Sequence, residues 1–214
     1  MTPQELLRSS AIELGIDLTV DQTNRFFVYL SELNKWNKKI NLTSITSERD
    51  TVIKHIVDSL SYIKGFSPAS GLRLLDMGSG AGFPAIPIKI VHPEISVFLV
   101  ESVKKKASFL RHMIRTLDLT GTEVLDTRVE ELPESFLSSI DVVTARAFAD
   151  MVMALSQGAP FLKQGGLMVL SRGPDEYISE PELAKAHVTL EKRIELTLPH
   201  SEYRRAIWIL RKAS

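Results

Sequence analysis

The segment Leu74-Leu75-Asp76-Met77-Gly78-Ser79-Gly80-Ala81-Gly82-Phe83-Pro84 constrains this chain more than any other. An apolar run leads into an acidic residue, glycines follow at alternate positions, and Pro84 marks a helix start. Glycines so spaced let the backbone turn sharply and let a ligand approach its amides, as at the first strand–helix turn of a doubly wound α/β sheet. Asp76 narrows the choice of ligand. Beside a pyrophosphate, its carboxylate would repel the anion. A ligand carrying a sulfonium and an amino group would instead be attracted, and S-adenosylmethionine (SAM) is such a ligand. Alternating glycines cost backbone entropy with no packing return, which weighs against a turn without a ligand.

Beyond this turn the pattern alternates. Strand-like runs near 72–76, 95–100, 122–125, 141–145 and 167–171 are separated by helical segments at 85–91, 103–117 and 151–162. Such alternation predicts parallel βαβ units. A last helix near 174–186 precedes runs at 188–197 and 203–211, which can pair as a hairpin through Pro199-His200 and end the sheet. The expectation is a Rossmann-like α/β SAM-methyltransferase fold: a seven-stranded, mostly parallel sheet with an antiparallel terminal strand. Residues 1–64 read as a helical N-terminal extension packing on the core, and residues 65–214 as the SAM-binding domain. Thr2-Pro3-Gln4-Glu5 and Thr19-Val20-Asp21-Gln22 have the form of capping boxes, with Gly15 a stop for the first helix. A third helix starts at Ser47. Between the second and third, Lys35 to Thr43 reads as a polar, basic connection around Trp36.

Composition bounds the rest. A chain of 214 residues, 44% hydrophobic, buries one good core. Charges balance, 26 against 26, so any polyanion must be held by local patches. No apolar run approaches the roughly 18 residues of a membrane helix, and Met1-Thr2-Pro3 does not resemble a signal peptide. The absence of cysteine fits the cytoplasm. It also excludes a cysteine nucleophile, as used for methylation at C5 of a pyrimidine, and a Cys-ligated zinc site. His55 and Asp58 share a helix face without a second ligand set, so they read as a structural pair or as part of a site entrance, and no metal is expected. Asn41-Leu42-Thr43 matches a glycosylation sequon, without consequence in a chain lacking a signal peptide.

The candidate site extends outward from the turn. Glu101 closes the second strand, where an acid accepts both ribose hydroxyls of an adenosine; NAD enzymes place one similarly, and a helix-capping surface glutamate is the bland alternative. After the third strand, an adenine can stack on Val129 and donate to an oxygen at 129–130, so Glu130 joins the set. The fourth strand ends in Thr144-Ala145-Arg146-Ala147, not the Asn/Asp-Pro-Pro-aromatic motif of amine-directed enzymes, which speaks against an amine target. The Arg146 guanidinium suits the SAM carboxylate, a phosphate or a guanine edge, with a structural salt bridge as the alternative. Helix amides after Phe83 suit the SAM carboxylate. Basic patches fall at Lys35/Lys38/Lys39, at Lys104-Lys105-Lys106 with Arg111 and Arg115, and at Arg204-Arg205 with Arg211-Lys212. The first is the most suggestive, because the Trp36 indole can stack on an unpaired base.

Taken in order, Trp36-Asn37-Lys38, Asn41-Leu42-Thr43, His55-Ile56-Val57-Asp58-Ser59-Leu60, Asp76 to Pro84, Glu101-Ser102 with Lys105-Lys106, Val129-Glu130 and Ala145-Arg146-Ala147 resemble the bacterial 16S ribosomal RNA methyltransferase G family, also called glucose-inhibited division protein B. The resemblance runs from about residue 25 to the end. One departure is Ala85, where the family usually has glycine. The resemblance implies SAM as cofactor, with its contacts on Gly78, Phe83, Val129, Glu130 and Arg146 and with Glu101 at the ribose. Asp76, Gly80 and Gly82 complete the cofactor set, and Arg146 is the candidate catalytic residue. Lys35, Trp36, Lys38, Lys39 and Asn41 are the candidate RNA contacts.

The implied reaction is methylation of guanine N7 in 16S RNA, at guanine 527, in the cytoplasm, on 16S RNA or the small ribosomal subunit. The residues present suit it. N7 carries a free lone pair, so neither a base nor a covalent nucleophile is needed. The N7 edge lies in the deep groove of A-form RNA, so the target is expected to be an unpaired loop base. Nothing in the sequence demands more than a monomer. Competing readings are a SAM methyltransferase with a small-molecule acceptor, an NAD-binding oxidoreductase, which Asp76 disfavours, and a non-catalytic ribosome-binding module that keeps SAM for stability.

Overall fold

The computed structural model describes every residue except Ala147, Ala149 and Ser214. Local signals set the ends of the first helices. Thr2 and Thr19 each accept from the amide three residues on, and Glu5 and Gln22 return the bond, opening α1 (Pro3–Glu13) and α2 (Val20–Ile40) with capping boxes. Gly15 follows α1 at φ +85°. α2 runs further than the polar sequence suggests: Lys35, Trp36, Lys38 and Lys39 form its last turns instead of a connecting loop. Tertiary packing extends it, since the half-buried Trp36 ring lies 5.6 Å from Phe109 and 5.3 Å from His112. The helix ends at Asn41 in the left-handed region, φ 50°, which asparagine tolerates. After Ser47, α3 (Glu48–Thr51) continues through a π-helical turn (Val52–Val57) into α4 (Asp58–Ser61) and a 3-10 turn (Tyr62–Gly65).

The strands are β1 (Arg73–Met77), β2 (Ser96–Val100), β3 (Thr122–Leu125), β4 (Ile140–Arg146), β5 (Leu162–Arg172), β6 (Val188–Thr197) and β7 (Arg204–Lys212). Between them lie α5 (Ala85–Val91), α6 (Lys104–Thr116), α7 (Met151–Gly158) and α8 (Glu180–Lys185). The last is shorter than the sequence suggests, because Ser179 and Glu182 form a capping box that starts it late. Sheet order is β3-β2-β1-β4-β5-β7-β6, with β1 parallel to both β2 and β4, and β7 antiparallel to β5 and β6. The order reverses beside β1. In such sheets ligands bind at that switch point, beyond the carboxyl ends of the strands.

One face of the sheet buries α1, α2, α4, α5 and α6 in a single cluster that includes Leu7, Phe26, Ile56, Leu74, Ile86 and Phe109. The other face packs Leu75, Val143, Leu155 and Trp208 beneath α7 and α8. Helices from the first 64 residues therefore share the core of the sheet and reach its ligand-binding edge.

Candidate active site

Asp76 stands opposite Thr144 across β1 and β4. Thr144 Oγ1 donates to Asp76 Oδ1 at 2.8 Å, while the buried Oδ2 has no partner among the described residues. Burial pushes this carboxyl up to about 7. The glycines then turn the chain: Gly78, Gly80 and Gly82 have φ values of 64°, 58° and 92°. A Cβ on Gly80 would meet nothing closer than 3.8 Å, leaving room for a ligand against the backbone. On Gly82 it would lie 2.5 Å from the Ile86 side chain and 2.8 Å from the Tyr29 hydroxyl, which itself donates to the Ala81 carbonyl. Gly82→Ala is therefore expected to cost about 2–4 kcal/mol of stability, from overpacking plus a strained φ, measured by chemical denaturation.

Beside the turn, Gly78, Glu101, Arg128, Val129, Glu130 and Phe148 line a cleft of about 380 Å³. Glu101 is 6% exposed and so is not a surface cap. Its Oε2 accepts from the Gly80 amide at 2.8 Å and its Oε1 from the Val103 amide at 2.7 Å, tying β2 to the turn. Each oxygen keeps a further lone pair for a ligand hydroxyl. Val129 presents a buried apolar wall, and Gln157 donates to Glu130 at the rim. Sequence reasoning missed Phe148 and Gln157, which come from positions with no motif of their own.

These residues fit SAM. The unpaired Asp76 oxygen suits a cationic amino group better than a pyrophosphate, although Asp76 is fully buried and lines neither cleft. A cation favours the Asp76 carboxylate, so SAM affinity is expected to fall about tenfold per pH unit below 7 and to level off above it. For the ligand-free fold the sign reverses. The neutral acid is favoured, so stability declines as pH rises from 3.8 to about 7. Calorimetric titrations and urea melts across pH 5–8 check both.

Arg146 does not line that cleft. It lines a second one of about 360 Å³, with Lys54, His55, Asp58, Arg172 and Arg205. Arg146 Nη1 donates to the Lys54 carbonyl at 2.8 Å and lies 3.5 Å from Asp58 Oδ2, while Arg205 Nε donates to Asp58 Oδ1 at 2.9 Å. Arg146 Nη2 approaches His55 Nδ1 at 3.2 Å. The guanidinium can only donate, so Nδ1 accepts and the other ring nitrogen carries the proton toward Thr43 Oγ1 at 2.9 Å. Burial and Arg146 together lower the His55 pKa to about 3, keeping it neutral. His55 and Asp58 thus do not bond each other as a pair; both hold Arg146. Asn37 makes two hydrogen bonds to the Thr43 backbone, at 2.8 and 2.9 Å, so the Asn-Leu-Thr segment braces the same arginine.

The Phe83 ring is buried, stacked on His55 at 4.5 Å and 5.1 Å from Tyr29, with the Arg146 guanidinium 4.9 Å from its centre. The Phe83 ring is thus taken up by packing within the fold, and Phe83 lines neither cleft. The amide of Ile86 in the next helix is also engaged, by the Gly82 carbonyl at 2.8 Å. Ala147 of the Ala145-Arg146-Ala147 motif lies outside the described residues. Arg172, Lys54 and the role of Arg205 escaped sequence reasoning, although Arg205 stood within a basic patch.

Of the remaining candidates, Lys38, Lys39 and Asn41 are exposed at the end of α2, and Lys35 pairs with Glu32 at 2.7 Å. None lines either cleft. The half-buried Trp36 indole packs against Phe109 and His112, so only part of it faces solvent. Among the described residues no helix is long and apolar enough to cross a membrane.

A doubly wound seven-stranded sheet, a carboxylate beneath a glycine turn and an acid closing β2 are the features expected of a SAM-dependent methyltransferase. Solved structures agree on the fold. The cyclase SpnF superposes with TM-score 0.63 at 14% identity, covering 90% of this chain and 96% of that one. A SAM-dependent methyltransferase from Aquifex aeolicus gives 0.56 at 16%, covering 75% and 92%, and M. jannaschii TYW2 in complex with AdoMet gives 0.56 at 14%, covering 73% and 74%. The family model GidB, rRNA small subunit methyltransferase G, matches residues 22–208. The protein named ribosomal RNA small subunit methyltransferase G in Geobacter metallireducens is 38% identical over 97% of this chain and 95% of its own. Its namesake in Caldanaerobacter subterraneus is 39% identical over 97% and 89%. The chain belongs to the rRNA small subunit methyltransferase G family, and its cofactor is SAM.

Proposed function

We propose that this protein methylates N7 of guanine 527 in 16S RNA by direct in-line transfer, with no covalent intermediate. The carrying observation is the second cleft, which is rich in cations and whose innermost titratable groups are committed. His55 Nδ1 faces the Arg146 guanidinium, and Asp58 is shared between Arg146 and Arg205. Neither is free to remove a proton, and N7 has none to lose. Bound SAM supplies an electrophilic methyl group. Asp76 holds its amino group, Glu101 its ribose hydroxyls, and Val129 with Glu130 its adenine. Arg146, braced by His55 and Asp58, orients the guanine, so that catalysis rests on placement; orientation of this kind supplies roughly 7–11 kcal/mol. An N7 target in unpaired RNA, presented to a monomer in the cytoplasm, completes the reading. Residues 1–64 serve as the extension that carries RNA contacts and braces Arg146.

The test is transfer of tritiated methyl from SAM to small subunits of a strain lacking the enzyme, followed by mapping of the modified base. Label on N7 of guanine 527 is expected. Label on another atom, or turnover of a small acceptor without RNA labelling, overturns the proposal.

A further inference from the structure

Two lysine clusters that are remote in sequence form one surface in the fold. α2 and α6 pack antiparallel: Arg25 Nη1 donates to the Leu117 carbonyl at 3.1 Å, Glu32 Oε2 meets His112 Nε2 at 2.7 Å, and Trp36 reaches Phe109 at 5.6 Å. Each step toward the end of α2 is a step toward the start of α6. Residues 105, 109 and 112 share a helix face, so one further turn carries Lys39 and Ile40 alongside Lys105. Lys38, Lys39, Lys104 and Lys105 are all exposed, and among the described residues none has an ion pair. In a chain of net charge zero this is a concentrated positive face.

Its location is informative. α6 begins just after Glu101 and Ser102, the latter on the rim of the cofactor cleft. The end of α2 connects through Asn37, Thr43 and His55 to Arg146 in the second cleft. The two helices that carry the positive face therefore lead one to each cleft, on the side from which an RNA strand can deliver its base.

We propose that the α2–α6 lysine face binds backbone phosphates of the RNA strand flanking the target nucleotide, an inference resting on the RNA acceptor named above. Phosphate contacts fix register without reading sequence, which suits a site that reads its base elsewhere.

The experiment compares the double variant Lys38→Gln/Lys104→Gln with a control, Lys185→Gln/Lys192→Gln. The control removes the same charge from α8 and β6, at the opposite end of the sheet. Binding of naked 16S RNA is measured against salt concentration, with SAM affinity measured alongside. The first variant is expected to bind RNA about tenfold more weakly, with the slope of log affinity on log salt reduced by about 1.4. Its SAM affinity is expected to be unchanged, and the control to match wild type. An unaltered slope in the first variant, or an equal loss in the control, overturns the surface alone. An effect confined to assembled subunits also overturns it, by pointing to a ribosomal protein as the partner. Wild-type protein that binds no naked RNA overturns this inference, whereas absence of methyl transfer to small subunits overturns the acceptor assignment.

Discussion

Asp76→Asn is expected to weaken SAM binding about 100-fold while the protein still folds. The amide is nearly isosteric and can still accept from Thr144, so the β1–β4 contact survives. What disappears is the negative charge on the unpaired buried oxygen. Because burial raises the carboxyl to about 7, the neutral amide relieves the ligand-free protein of a charge it tolerates poorly above that pH. Loss of cofactor affinity should therefore accompany equal or higher stability near pH 8. Calorimetry with SAM and a thermal melt on the same sample decide the matter. Unchanged affinity would remove Asp76 from the site.

Arg146→Ala is expected to have the other large effect: methyl transfer to small subunits falling about 100- to 1,000-fold, with SAM binding weakened far less. The arginine lines the second cleft, not the one beside Glu101. Its removal also leaves Asp58, 3% exposed, with Arg205 as its remaining partner and His55 Nδ1 without a donor. Because Arg205 still neutralises Asp58, stability should drop by about 1–3 kcal/mol, the cost of leaving His55 Nδ1 and the Lys54 carbonyl without their donor. Arg146→Lys restores charge but not the fork that reaches the Lys54 carbonyl, His55 and Asp58 together. It should recover much of the stability and little of the activity. Full activity in either variant would end the orienting role assigned here.

The strand–turn frame proposed to hold the cofactor was largely legible in the sequence. Asp76 and Gly78–Gly82 occupy one strand–turn unit, Glu101 follows β2 and Val129 lies in the turn after β3, so spacing along the chain predicts their place in the fold. The acceptor side was not. The motifs around Asn41 and His55 appeared as isolated signatures, and nothing local said that both brace Arg146. The reach of α2 was misjudged for the same reason: Lys35 to Ile40 is polar by composition, and its helical state depends on Trp36 meeting Phe109 and His112.

By itself, the sequence determined what chain-local physics controls. Left-handed backbone at Gly78, Gly80 and Gly82, capping boxes at Thr2 and Thr19, and the apolar runs of the strands all follow from neighbours within a few positions. Tertiary structure decided what depends on packing between distant segments. It left an Asp76 oxygen buried and unpaired, converged Asn37, Thr43, His55, Asp58 and Arg205 on Arg146, and set α2 against α6. Among those contacts, Asp58 and Arg205 lie 147 positions apart. Such separations are bridged by burial of a shared core, which no local pattern encodes.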